Sequence, residues 1–136
     1  MTTRTESQQT LDQRRAQHAW QAIEKLDRFS NQQRDEYARE AKKLPVRIMA
    51  SGLGQALAFI CAKASDKKET LSQLHRDLTD WVLNGRGLKG AAPESLLQSV
   101  FRGDADFMRR ATNEVLAYLQ WLNRFAEAKG LGKSND

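Results

Sequence analysis

Residues Leu53 to Ala62 read LGQALAFICA, a stretch in which Gln55 is the one conventionally polar side chain. It lacks the alternation of a half-buried strand, and a helix apolar nearly all round has to be enclosed on most sides, so the stretch predicts a buried helix around which others pack. On a helical wheel Leu53, Ala56, Leu57, Ile60, Cys61 and Ala64 share one arc, whereas Phe59 falls outside it and is left to pack on a neighbouring helix or to face a partner. Gly52 and Gly54 bracket Leu53 at the entry, and a run of Arg and Lys from Arg39 to Arg47 comes just before. The most apolar element therefore adjoins a strongly basic one.

Working outward toward the N-terminus, Tyr37, Ala41, Leu44 and Ile48 define a second helical stripe, opened by a break and cap at Ser30-Asn31. Pro45 removes a backbone donor and disfavours the helical conformation at Leu44, so a kink or short restart is expected there. Leu11, Ala19, Ala22, Ile23, Leu26 and Phe29 line one arc of a first helix reaching about Arg28, with Thr10 or Ser7 as its cap. Arg15 projects into that arc; its stem is expected to pack at the open end of the core with the head in water, the alternative being an interface.

Toward the C-terminus, Ser65-Asp66 is the expected cap of a helix carrying Leu71, Leu74, Leu78, Trp81 and Val82, which stops at Asn84-Gly85. The segment NGRGLKGAA, Asn84 to Ala92, is the longest internal loop, and Pro93 suits the first turn of a short helix ending at Gly103. Asp104 or Asp106 caps the last helix, whose stripe Phe107, Ala111, Val115, Tyr118, Leu122 and Phe125 is the best amphipathic signal in the chain; Gly130 ends it. The expectation is an all-α compact bundle of about six helices, one domain over 10–130, with flexible tails at 1–9 and 131–136.

A chain of 136 residues has length enough for a core without staples. With 22 basic against 17 acidic side chains its net charge is +5, and its pI near 9.6 favours an anionic partner without naming one. The lone Cys61 cannot form an intrachain disulfide and suits a reducing cytoplasm. No apolar segment approaches the ~20 residues that span a bilayer, which fits a soluble, unexported chain.

No chemical site emerges. His18, His75 and Cys61 fall on three different predicted helices, so no metal is expected, and Asp104 and Asp106 read as caps. An apolar setting raises the thiol pKa of Cys61, and His75 and Asp77 face different ways on one helix. Gly52-Leu53-Gly54 lacks the preceding strand of a phosphate-binding turn. Neither an enzyme, a cofactor nor a small-molecule substrate is expected.

The basic face carries more information. With Arg39 at zero, Lys42, Lys43 and Arg47 fall at about 300°, 40° and 80°, opposite the core stripe near 180°. Such a face can bind nucleic acid, although charge runs are usually only solvated, and Asp35, Glu36 and Glu40 dilute this one. Trp81 reads as core, whereas Trp20 and Trp121 sit at the edges of their stripes, where aromatics finish a core rim, stack bases or anchor a partner.

The order of these features resembles the small helical subunit of type III-B CRISPR effector complexes, the Cmr complexes. The matching stretches are RRAQHAW (Arg14 to Trp20), YAREAKKLPVRIMASGLGQALAFICAK (Tyr37 to Lys63) and YLQWLNRFAEA (Tyr118 to Ala128), the run from Lys42 to Phe59 being the specific part. The resemblance implies a non-nuclease whose copies stack as a minor filament beside the backbone subunit that holds the CRISPR RNA. That filament lines the channel for target RNA and contacts it without regard to sequence. Basic residues within the matched stretches, Arg14, Arg15, Arg39, Lys42, Lys43, Arg47 and Lys63, are then the candidate RNA contacts, and Trp20, Gly52, Gly54, Phe59 and Trp121 the candidate packing or interface positions. A pure assembly protein, its basic face set against acidic neighbours, is the alternative.

Overall fold

The computed structural model describes residues 8–65 and 68–133. Six α-helices follow one another: α1 (Leu11–Glu24), α2 (Asn31–Ser51), α3 (Leu53–Ala64), α4 (Glu69–Thr79), α5 (Leu96–Arg102) and α6 (Ala105–Ala128). A 3₁₀ turn, Lys25–Arg28, extends α1, and a π-helical segment, Asp80–Gly85, extends α4. There is no strand among the described residues, and no helix there is long and apolar enough to cross a membrane. The all-α bundle expected from the apolar periodicity is the fold observed.

The starts of three helices are written locally. Thr10 and Ser30 each accept the backbone N–H three residues on, while Gln13 and Gln33 reach back to the cap N–H, making two reciprocal capping boxes. Asp104 accepts the N–H of Phe107 and starts α6. Between these caps the stripes converge as their spacing requires. α1 lies along α6, α2 packs against α3, α4 and α6, and α3 leans on α4 and α5. Leu26, Tyr37, Leu44, Leu57, Leu78 and Tyr118 are wholly buried where these faces meet. The Tyr37 hydroxyl donates to Asp77 at 2.6 Å, tying α2 to α4 inside that core. Burial, and then the neighbouring Asp77, push the Tyr37 hydroxyl well above its ordinary pKa.

Four local expectations are corrected. α2 runs unbroken through Pro45. The missing proline N–H frees the Ala41 carbonyl, and the Asn123 amide of α6 donates to it at 3.1 Å, so the orphaned acceptor is satisfied from another helix. Ser65 closes α3, its hydroxyl donating to the Ala62 carbonyl, rather than opening α4; Asp66 lies outside the described residues, as does Ser7. α5 begins after Ser95, whose side chain accepts the Gln98 N–H, not at Pro93. Side chains of α4 complete that cap, Thr79 accepting from Leu96 and His75 Nε2 from Leu97.

The fourth correction concerns α3. Only Leu53, Ala56, Leu57 and Ile60 are buried on it, while Gln55, Ala58, Phe59 and Ala62 are exposed. The apolar composition misled because alanine offers water little more than a methyl group, so a small-residue face needs no cover. The helix is a flank of the bundle, not its axis.

Beyond α6 the chain stays attached through Gly132. Leu131 donates its N–H to Ala126, and the Gly132 N–H bonds the Asp35 carboxylate at 2.7 Å.

Candidate nucleic-acid interface

The seven cations singled out from the sequence do not form one surface. Five lie on the α2–α3 side, but Arg15 and Arg14 are elsewhere. Arg15 is only 12% exposed, held by Glu114 of α6 at 2.6 Å and by Asp12 at 2.6 Å. The expectation that its head sits in water is therefore corrected: a buried carboxylate far away in sequence holds it. Glu114 also bonds the Trp81 indole at 2.8 Å and Arg86 at 3.3 Å. Burial pushes the Glu114 carboxyl up, but Arg15 and Trp81, then the Arg86 charge, outweigh it and hold the pKa below the ordinary value. Arg14 is exposed and lies beside the Gly85 carbonyl at 3.4 Å, at the glycine-rich loop.

On α2 and α3 a second buried carboxylate repeats the arrangement. Glu40 accepts from Arg47 at 2.9 Å and from Lys63 at 2.6 Å. Burial again raises its pKa, and the bonds and charges of Lys63 and Arg47 again prevail and lower it. Phe59, which falls off the apolar arc, meets these same cations. The Arg47 guanidinium sits 3.9 Å from its ring centroid and the Lys63 ammonium 5.3 Å, a cation–π arrangement on a ring that stays 41% exposed. Arg47, Lys63 and Phe59 thus make one cluster around Glu40, joining α2 to α3.

Gly52 builds the corner between those helices. Its φ of +89° and ψ of 160° are open to glycine and strained for any residue with a Cβ. Gly54 is different: an added Cβ would meet only Val100 Cγ1 at 3.6 Å, an ordinary contact.

Lys42 and Lys43 remain. Both are exposed and neither makes an ion pair among the described residues. Lys42 lines a small hollow of about 70 Å³ with Arg39 of α2, Ala126 near the end of α6, and Lys133 beyond it. The same exposed arc continues into Val46, 72% exposed, and Met49, 76% exposed. Met49 and Pro45 line a groove against Leu116 and Leu119 of α6, of about 440 Å³. Sequence reasoning passed over Val46 and Met49, although the same wheel places them at about 340°, within the basic arc, and 280°, at its edge. Val46 and Met49, three residues apart, are neighbours on the helix surface.

The edge tryptophans belong to the α1–α6 seam. Trp20 meets Phe125 edge to face at 5.1 Å, Trp121 tilts against the same ring at 5.5 Å, and the Trp121 indole donates to Asp12. Cys61 is half-buried and burial raises its pKa, so no thiolate is favoured there. No group of His, Cys and carboxylates poised to hold a metal occurs among the described residues.

The helical bundle is shared with a solved structure, and the sequence with a known family. The CRISPR-associated Cmr5 family matches residues 11–129. The chain belongs to the Cmr5 family. The Cmr subunit Cmr5 of Thermus thermophilus, a CRISPR system protein, is 37% identical over 115 residues, covering 81% of this chain and 90% of the relative. The crystal structure of a Cmr5 family protein from Thermus thermophilus superimposes with a TM-score of 0.69 at 31% identity, over 88% of this chain and 97% of that one. The resemblance carried by the run from Lys42 to Phe59 is thus to the family in which the whole bundle is found.

Proposed function

We propose that the chain is the non-enzymatic small subunit of a type III-B Cmr effector complex, stacking with copies of itself beside the backbone subunit and touching target RNA through the exposed arc of α2. Membership of the Cmr5 family supports the setting. The observation that carries the RNA contact is the contrast among the cations: Lys42 and Lys43 stand exposed with no carboxylate partner among the described residues, whereas Arg15, Arg47 and Lys63 are engaged by Glu114 and Glu40. Lysines of this kind bind phosphates as point charges, which suits recognition of a strand by backbone alone. Arg39 lies on the same arc and lends its charge to that field.

A second reading rests on Val46 and Met49. Their exposure on the same arc favours a protein neighbour with an apolar contact, its acidic rim meeting Lys42 and Lys43. The paired change Lys42→Glu and Lys43→Glu separates the two. The RNA reading expects the variant to co-purify with its complex and to bind target RNA more weakly; loss of incorporation supports assembly instead. An unchanged RNA affinity in an intact complex contradicts the proposal.

A further inference from the structure

We infer that the glycine-rich loop after the π segment, together with Arg110 of α6, forms a second contact site for the phosphate backbone of RNA. This extends the RNA-binding reading above to a separate surface and rests on it. Arg86, Lys89 and Arg110 line one hollow of about 360 Å³, which Asp104 and Asp106 also border. Both carboxylates are already engaged. Asp104 accepts the Phe107 N–H as the cap of α6, and Asp106 pairs with Arg109. Arg86 shares Glu114 with Arg15, which Asp12 also holds, so the excess rests on Lys89 and Arg110. Lys89 and Arg110 are exposed and make no ion pair among the described residues. With Asp106 matched by Arg109, Lys89 and Arg110 still outnumber Asp104, so the hollow keeps an excess of positive charge; Arg14 lies outside its lining, beside Gly85.

The loop is also held in place, unlike an ordinary glycine-rich connection. Leu88 is buried and bonds its N–H to the Val82 carbonyl at 3.0 Å, and the Ser99 hydroxyl bonds both the N–H and the carbonyl of Ala92. At Gly85 a Cβ would collide with the Trp81 ring, and Gly87 turns the chain at φ +82° between Arg86 and Leu88. The two loop cations thus flank a buried leucine. A loop fixed in this way has little entropy left to lose when it binds.

The occupant is RNA rather than protein because none of the large exposed apolar side chains lines this hollow. Protein interfaces centre on an apolar anchor, whereas phosphate contacts need only placed charge. Arg110 and Ala126, which borders the hollow of Lys42, are about 24 Å apart along α6 at ~1.5 Å per residue. Along α6 the two sites are therefore separate.

The test places Lys89→Gln with Arg110→Gln, and Lys42→Gln with Lys43→Gln, separately in the reconstituted complex. Binding of a single-stranded uridine homopolymer and of target RNA is then followed against salt. Each pair is expected to weaken binding roughly tenfold at low salt, and to make the log K against log[salt] slope shallower by about 1.4, two contacts at ~0.7 each. Circular dichroism of each isolated variant checks that the bundle is intact, and because Lys89 and Arg110 are exposed, Lys89→Ala with Arg110→Ala is available should the glutamine pair misfold. If the Lys42 and Lys43 pair lowers the slope and the Lys89 and Arg110 pair does not, the second site is overturned and the RNA reading stands. If neither does, both fall. Loss of incorporation without loss of RNA affinity marks the loop as a protein contact and also overturns the inference.

Discussion

Glu40 and Glu114 are alike in burial, 4% and 6% exposed, and each holds two cations, yet they sit in different structures. Glu114 also takes the Trp81 indole, and its arginine from α1 is almost enclosed, so the cluster locks α1, α6 and the glycine-rich loop together. Glu40 joins only α2 and α3, and its partners Arg47 and Lys63 keep 26% and 35% of their side chains in solvent. One arrangement holds the bundle shut. The other draws two cations out of a basic face and leaves Lys42 and Lys43 exposed, with no ion pair among the described residues. Counting positive residues along a helix therefore overstates a binding surface, because a buried carboxylate consumes charge that the wheel displays.

The comparison breaks most readily at Glu114. Replacing Glu114 by Ala leaves the almost enclosed Arg15 with Asp12 alone and strands the Trp81 N–H beside an unfilled buried site, and is expected to cost about 3–5 kcal/mol in urea unfolding. A loss below about 1 kcal/mol, the scale of an exposed ion pair, contradicts the assigned role. Gly52→Ala comes next. Forcing a Cβ onto φ +89° is expected to cost about 1–3 kcal/mol, and to turn α3 so that Lys63 leaves Glu40. Gly54→Ala is expected to be neutral, so equal losses at the two glycines remove the corner argument.

Glu40→Gln is milder, expected at about 1–2 kcal/mol, since both its cations can hydrate, whereas Arg15 at Glu114 is almost enclosed. It also frees Arg47 and Lys63 toward RNA, and the salt slope of the complex should steepen, by up to about 1.4 if both engage phosphate. An unchanged slope shows that releasing these cations does not make them contacts. The smallest effect is on pH. Both glutamates have folded pKa values below the ordinary 4.5, so their contribution is present at neutral pH and is lost as pH falls from that region through the folded values. Asp77 opposes them. Burial raises its pKa above 3.8 despite its bonds from Tyr37 and Gln73, so its own term weakens as pH rises and acid relieves it. Net acid destabilisation should therefore shrink in Glu114→Gln, and an unaltered acid transition in that variant removes Glu114 from the account.

The sequence reading succeeded where the cause is local. Thr10, Ser30 and Asp104 cap their helices because a side-chain oxygen three residues before an N–H needs no help from the rest of the chain. It failed where the partner is distant. Nothing around Pro45 announces Asn123, and nothing around Arg15 announces Glu114, although those two contacts decide whether α2 breaks and whether Arg15 is free. Nor does the spacing of NGRGLKGAA reveal that Leu88 is buried and the loop fixed. Most of the fold is legible because capping and periodicity act within a turn or two. The site was legible only as a list of cations, since pairing across helices is a tertiary property.

The central claim is that the cations left without a carboxylate, not those around Glu40, hold RNA. It is tested most directly by the salt dependence of target-RNA binding in complexes carrying either Lys42→Gln with Lys43→Gln or Arg47→Gln with Lys63→Gln. The account predicts a slope shallower by about 1.4 for the first pair and no change for the second. A shallower slope for the second pair, with the first unchanged, contradicts it.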